Sequence, residues 1–206
     1  MKVEQFVMAY RVEQDRLRAL LPEGYTSLRP VLRINVEIRE KERVAVEFNT
    51  PAGAFGKRGW LNIAHWESPA DPITWERRGG EVTFQSPFLR ITYTRTGIEG
   101  GCPAERDNDG CFFPGNPTSF VPAETIDQNK EFCGCAFQWQ FSPADAHGVS
   151  LGEDSVAAAP TPPQKQYARQ PLTAQTAAAI PCQQILGAYA VCFEREETHK
   201  THRILR

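Results

Sequence analysis

The stretch Phe6 to Ile38, FVMAYRVEQDRLRALLPEGYTSLRPVLRINVEI, constrains the fold more than any other part of the chain. Phe6 to Tyr10 has strand character. Glu13, Gln14 and Asp15 favour a helix start, because acidic side chains oppose the positive N-terminal end of the helix dipole. Leu17, Leu20 and Leu21 recur at three- and four-residue spacing and share a helical face, while Arg16 and Arg18 point to water. Pro22 and Gly24 stop the helix. Val31 to Ile38 then alternates, with Leu32, Ile34, Val36 and Ile38 on one face and Val31, Arg33, Asn35 and Glu37 on the other. That is a strand with one apolar and one polar side. The helix needs an apolar partner and follows closely on the sheet. The leucines are therefore expected to pack on the Leu32–Ile38 face, leaving Arg33, Asn35 and Glu37 to project into an interior.

The rest of the chain repeats the strand signature. Arg39 to Arg43 is a charged run that reads as a solvated hairpin turn, and Val44, Val46 and Phe48 alternate in the return strand. Pro51 to Gly59 carries three glycines and a proline and reads as a loop longer than a tight turn, of the kind that often carries function. Trp60 to Trp66 is expected to alternate, with Trp60, Asn62, Ala64 and Trp66 opposed to Leu61, Ile63 and His65. Ser68 to Gly80 is broken by prolines and the Gly79-Gly80 pair and reads as a connection. Glu81 to Gln85, Phe88 to Thr96, Phe132 to Phe141 and Ile185 to Phe193 are further strands, and Leu172 to Ile180 is a short helix. Gly97 to Gln128 is irregular. The count is about eight strands and two helices, and strands at this spacing argue for a sheet curled into a barrel or a sandwich.

A chain of 206 residues suggests a single domain over residues 1–206, and 41% hydrophobic with 23% charged residues is ordinary for a globular protein. The formal net charge of −2 argues against nucleic acid or an anionic membrane as the main partner. The opening residues lack the apolar run of a signal peptide, and no segment approaches the ~18 apolar residues of a membrane span, so a cytoplasmic location is expected. The six cysteines are then expected to be reduced and metal-free. Cys102 and Cys111 have eight residues between them and Cys133 and Cys135 one, whereas structural zinc sites favour pairs with two to four between. Asp107-Asn108-Asp109-Gly110 has the start of a calcium loop without its downstream glutamate, so a turn is expected. No phosphate loop, dinucleotide fingerprint or Gly-x-Ser-x-Gly occurs, and no cofactor is expected.

Tyr10-Arg11, Leu17-Arg18, Leu21-Pro22-Glu23, Pro30 and the strand carrying Arg33 together resemble the start of the acetoacetate decarboxylase family. The resemblance covers roughly the first fifth of the chain. It implies a mainly β (α+β) fold, an antiparallel cone-like β-barrel with a few short helices and a substrate pocket inside. It also implies lyase chemistry on a β-keto acid through a lysine Schiff base. The family's Gly-Arg-Glu segment followed by Pro-Lys-Lys is absent from this sequence. The family's arginine before the first strand aligns with Val3, and its acidic residue on the early strand with Asn35.

Two readings of function follow. One is a barrel that binds a small carboxylate or oxo acid in an internal pocket without the decarboxylase lysine motif. Arg33, Asn35 and Glu37 would line that pocket, Arg33 clamping a carboxylate, or else form an ordinary solvent face. The other is an enzyme acting on a small oxo acid through Lys57. Schiff-base catalysis needs an amine neutral near pH 7, whereas free lysine titrates near pH ~10.4, and the adjacent Arg58 is the right kind of perturbation. The plain alternative for Lys57 and Arg58 is a pair of solvated charges. A homo-oligomer is compatible with either reading.

Overall fold

The protein is described here from a computed structural model covering residues 1–87, 89–99, 109–114, 120–122, 132–141 and 174–196. Its centre is strand β1 (Lys2–Arg11), flanked by β3 (Val31–Arg39) and β12 (Gln184–Glu194), both antiparallel to it. Phe6 stands opposite Val36 on one side and Ala190 on the other. The first and last described strands therefore lie side by side, and Arg195 N donates to the Met1 carbonyl at 2.8 Å.

Between β1 and β3 the chain forms α1 (Gln14–Leu20) and the short β2 (Thr26–Ser27). Asp15 lies in the first turn of α1 and accepts from Arg18 at 2.7 Å. Leu21 leaves the helix with extended backbone, φ −71° and ψ 136°. A residue before proline is pushed out of the helical region, and Pro22 follows.

The strands β4 (Arg43–Ala54), β5 (Lys57–Glu67), β6 (Thr74–Arg78), β7 (Glu81–Gln85), β8 (Leu89–Glu99), β9 (Cys111–Phe113), β10 (Val121–Pro122) and β11 (Phe132–Phe141) complete one sheet. Its order is β10-β9-β5-β4-β3-β1-β12-β11-β8-β7-β6, with β2 paired to β4. This sheet curls on its apolar face. Phe48 of β4 and Phe141 of β11 have ring centroids 5.9 Å apart, although β3, β1 and β12 lie between their strands. Phe6 of β1 meets Phe84 of β7 at 5.4 Å with β12, β11 and β8 between. Four strand spacings in a flat sheet would be ~19 Å. The half-barrel so formed closes over a core containing Phe6, Met8, Leu32, Ile34, Val36 and Ile38. Leu17 and Leu20 of α1 and Ala177 and Ala178 of α2 (Ala174–Ala178) share that core. The helix thus packs on the Leu32–Ile38 face as its spacing indicates, except that Leu21 joins a smaller cluster with Tyr25, Leu61 and Phe113. That apolar face is, however, the one the curl encloses, so Arg33, Asn35 and Glu37 lie on the opposite face of the sheet and not in the half-barrel's interior.

Several sequence expectations need correction. The sheet is mixed rather than purely antiparallel, because β9 runs parallel to β5, pairing Gly59 with Cys111 and Leu61 with Phe113. The Ser68 to Gly80 connection contains β6, and among the described residues there are twelve strands rather than eight. Pro51 to Gly59 is a tight hairpin and no long loop. Its turn is Phe55-Gly56, both at positive φ (54° and 70°), the requirement of the type I′ turn that matches strand twist. Pro51 costs no ladder bond there, since β4 passes at that point from β3 to β2, pairing Asn49 with Arg33 and Ala52 with Ser27. Its carbonyl still accepts from Leu28 N at 3.2 Å. Most of Gly97 to Gln128 lies outside the described residues, as does Cys102. No described helix is long and apolar enough to cross a membrane.

Candidate functional site

Opposite the apolar core, the sheet carries a second face whose side chains are polar and yet largely buried. Strand alternation puts Gln5 of β1, Arg33, Asn35, Glu37 and Arg39 of β3, and Glu47 and Asn49 of β4 on it. Strict alternation along β5 would leave Asn62 and His65 on opposite faces. The register shifts at Phe48/Asn49, where Phe48 stands opposite Ala64 and Asn49 opposite Asn62, so Ile63 is an extra residue. A bulge of this kind re-aims the side chains beyond it. It sends Ala64 and Trp66 to the core and brings both Asn62 and His65 to the polar face, beside Asn49 and Glu47.

Arg33, Asn49 and Asn62 form a row across three adjacent strands. The Arg33 guanidinium carbon lies 3.9 Å from the centre of the Trp60 ring, a cation–π contact that fixes the plane of its donors. Asn62 Nδ2 donates to Asn49 Oδ1 at 3.1 Å. Four atoms of the group are buried without a hydrogen-bond partner among the described residues: Arg33 Nε, Asn35 Oδ1, Asn49 Nδ2 and Asn62 Oδ1. Asn35, Asn49 and Asn62 are 5%, 0% and 1% exposed as whole residues, so bulk water does not supply the missing bonds. Unpaired buried polar groups are costly, and a cluster of four is not what packing alone would retain.

Glu37, on the same strand face, is differently placed. Its carboxylate accepts from Arg195 at 2.7 and 2.9 Å, from Arg39 Nε at 2.8 Å and from Gln5 Nε2 at 3.0 Å. Burial would raise its pKa, but Arg195 and Arg39 outweigh that and hold it at about 2. Glu37 is thus a fully satisfied carboxylate tying β1, β3 and the segment after β12 together. The network continues through Arg39 to Glu67 at 2.9 Å, and His65 bridges Glu67 at 3.6 Å and Glu47 at 3.2 Å. Burial of His65 disfavours its charge, and the hydrogen bond and charge of Glu47 reverse this, so its pKa is raised.

Lys57 is exposed at the start of β5, opposite Ala54. It stands five residues along the strand from Asn62, ~17 Å, at the far end of the β4–β5 hairpin. The structure therefore groups Arg33 with Asn35, sets Glu37 into an ion network, and leaves Lys57 apart from both. Its neighbour Arg58 pairs with Asp109 at 2.8 Å. The five described cysteines are free thiols, and among the described residues no group of three potential ligands could hold a metal.

Sequence reasoning missed Asn49, Trp60, Asn62 and Arg195. Asn49 is a polar residue at the end of an alternating strand, which was a usable signal. Asn62 and Trp60 were hidden by the bulge.

No protein-family model matches the chain, and no curated protein matches it. Solved structures do. It is similar to the acetoacetate decarboxylase of Legionella pneumophila, with TM-score 0.60 and 12% identity over 93% of this chain and 81% of that one. A pyruvate complex of the enduracididine biosynthesis enzyme MppR matches with TM-score 0.55 and 12% identity, over 93% and 84% of the two chains. A further acetoacetate decarboxylase structure gives 0.51 and 14%, over 93% and 84%. Strand order, curl and this likeness over nearly the whole length agree: the chain has the acetoacetate decarboxylase-like fold.

Proposed function

We propose that this protein binds a small carboxylate or oxo acid in a buried pocket on the polar face of its sheet, with Arg33 as the anion-binding residue and Asn35, Asn49 and Asn62 around it. Glu37 supports the pocket floor through Arg39 and Arg195. The observation that carries this reading is the set of four buried, unpartnered polar atoms beside Trp60. A planar guanidinium held against an aromatic ring is suited to a carboxylate, because its donors are fixed in a fork. Pyruvate bound to the similar MppR supports the ligand class.

A binding role without decarboxylation fits the lysines better than a Schiff-base mechanism does. The family's Pro-Lys-Lys segment is absent, and all three described lysines, Lys2, Lys41 and Lys57, are exposed. None of the described lysines has the burial that favours a neutral amine.

Thermal unfolding against a panel of small carboxylates and oxo acids tests this. A true ligand at a hundredfold excess over its dissociation constant should stabilise by about 2.7 kcal/mol. Arg33→Ala should remove the shift and Arg33→Lys should restore part of it. A confirmed ligand that stabilises Arg33→Ala as much as the parent would refute the assignment. Borohydride trapping of an oxo acid on Lys57 would establish the enzyme reading instead.

A further inference from the structure

We infer that the acid bound at this site also carries a hydroxyl group, so that a hydroxy acid is preferred over the corresponding oxo acid. The inference rests on the binding site proposed above and adds a demand made by the asparagine pair. Asn62 and Asn49 share one hydrogen bond, at 3.1 Å. Each primary amide has one donor end and one acceptor end. Whichever of the two donates in the shared bond, the ends left over are one N–H2 donor and one carbonyl acceptor. In the structure these are Asn49 Nδ2 and Asn62 Oδ1, both buried and without a partner among the described residues. The conclusion does not depend on which way either amide is turned, since turning both exchanges the two ends and leaves one of each.

A ligand that satisfies this pair must accept and donate at neighbouring points. A carboxylate or a ketone oxygen only accepts and would leave the asparagine carbonyl unpaired in a dry site. An ammonium only donates. A hydroxyl does both, accepting from the free N–H and donating to the free carbonyl. Arg33 stands in the same cross-strand row, opposite Asn49, with its Nε unpartnered and its guanidinium braced by Trp60. It takes the carboxylate. Three adjacent strands span ~10 Å between their outer members, within reach of the long Arg33 side chain plus an acid of three or four carbons. Arg33 and the asparagine pair thus read two different groups on one molecule.

Matched ligand pairs on the unmodified chain test this by calorimetry: both enantiomers of 3-hydroxybutyrate against acetoacetate, and of lactate against pyruvate. One hydroxy acid enantiomer should bind more tightly than its oxo partner by about tenfold or more, the cost of leaving a buried acceptor unpaired. Asn62→Ala should bring the two ligands of a pair close together in affinity. If that variant does not fold, the ligand pairs on the parent chain still decide. Oxo acids binding as tightly as hydroxy acids would overturn this inference and leave the carboxylate site standing. No binding by either class would overturn the site as well.

Discussion

Arg195 closes on Glu37 through two hydrogen bonds, Nη2 to Oε1 at 2.7 Å and Nη1 to Oε2 at 2.9 Å, joining positions 158 apart in sequence. Both side chains are buried, and Arg39 and Gln5 complete the shell of the carboxylate. The folded pKa of Glu37 lies at about 2, below its usual 4.5. Its contribution is therefore fully present above pH 4.5 and is lost as the pH falls towards 2, with a magnitude of about 3 kcal/mol. Urea denaturation across this range should show that acid limb. Glu37→Gln should flatten it and also cost about 3 kcal/mol at neutral pH, because buried Arg195 and Arg39 lose the carboxylate they share, Arg39 keeping Glu67.

Gly59 meets the parallel neighbour β9 edge-on. A Cβ placed there would run into the Cys111 carbonyl, a backbone group that cannot swing aside as a side chain can. Gly59→Ala is expected to destabilise by more than about 2 kcal/mol, through separation of β9 from β5. Gly80 has open space around it, and Gly80→Ala serves as the control, expected within about 0.5 kcal/mol of the parent. Equal effects at the two positions in denaturant titrations would show that the β5–β9 contact is not tight.

The sequence made the scaffold of the site readable but not its full membership. Period-two alternation in Val31–Ile38 located Arg33 and Asn35 correctly on one face, since a strand with a buried side has little freedom of register. Glu81–Gln85 and Phe132–Phe141 were legible to the residue for similar reasons. Asn62 was not, because nothing in Trp60–Trp66 announces that Ile63 is the extra residue of a bulge. Arg195 sits at the start of a charged tail and looks like a solvent residue until β12 is laid beside β1. Strand β6 escaped notice because four of its five residues are exposed and only Trp75 is half-buried, giving no alternation to read.

Tyr93 offers a check on the core that is independent of the polar face. Its ring packs against Phe6 at 5.2 Å and Phe84 at 6.2 Å, and its buried hydroxyl has no hydrogen-bond partner among the described residues. Burial accordingly pushes its pKa well above 10. Removing an unsatisfied hydroxyl removes a desolvation penalty, so Tyr93→Phe should stabilise the protein by about 1 kcal/mol. A loss of similar size on chemical denaturation would mean that the hydroxyl has a partner.

The central claim is that Arg33 and its asparagine neighbours hold a small carboxylate, and a crystal structure with such a ligand at saturating concentration tests it most directly. Carboxylate oxygens are expected within about 3 Å of the Arg33 guanidinium, with the free ends of Asn49 and Asn62 on the same molecule. A calorimetrically confirmed ligand found elsewhere, with the Arg33 row unchanged, would contradict the claim.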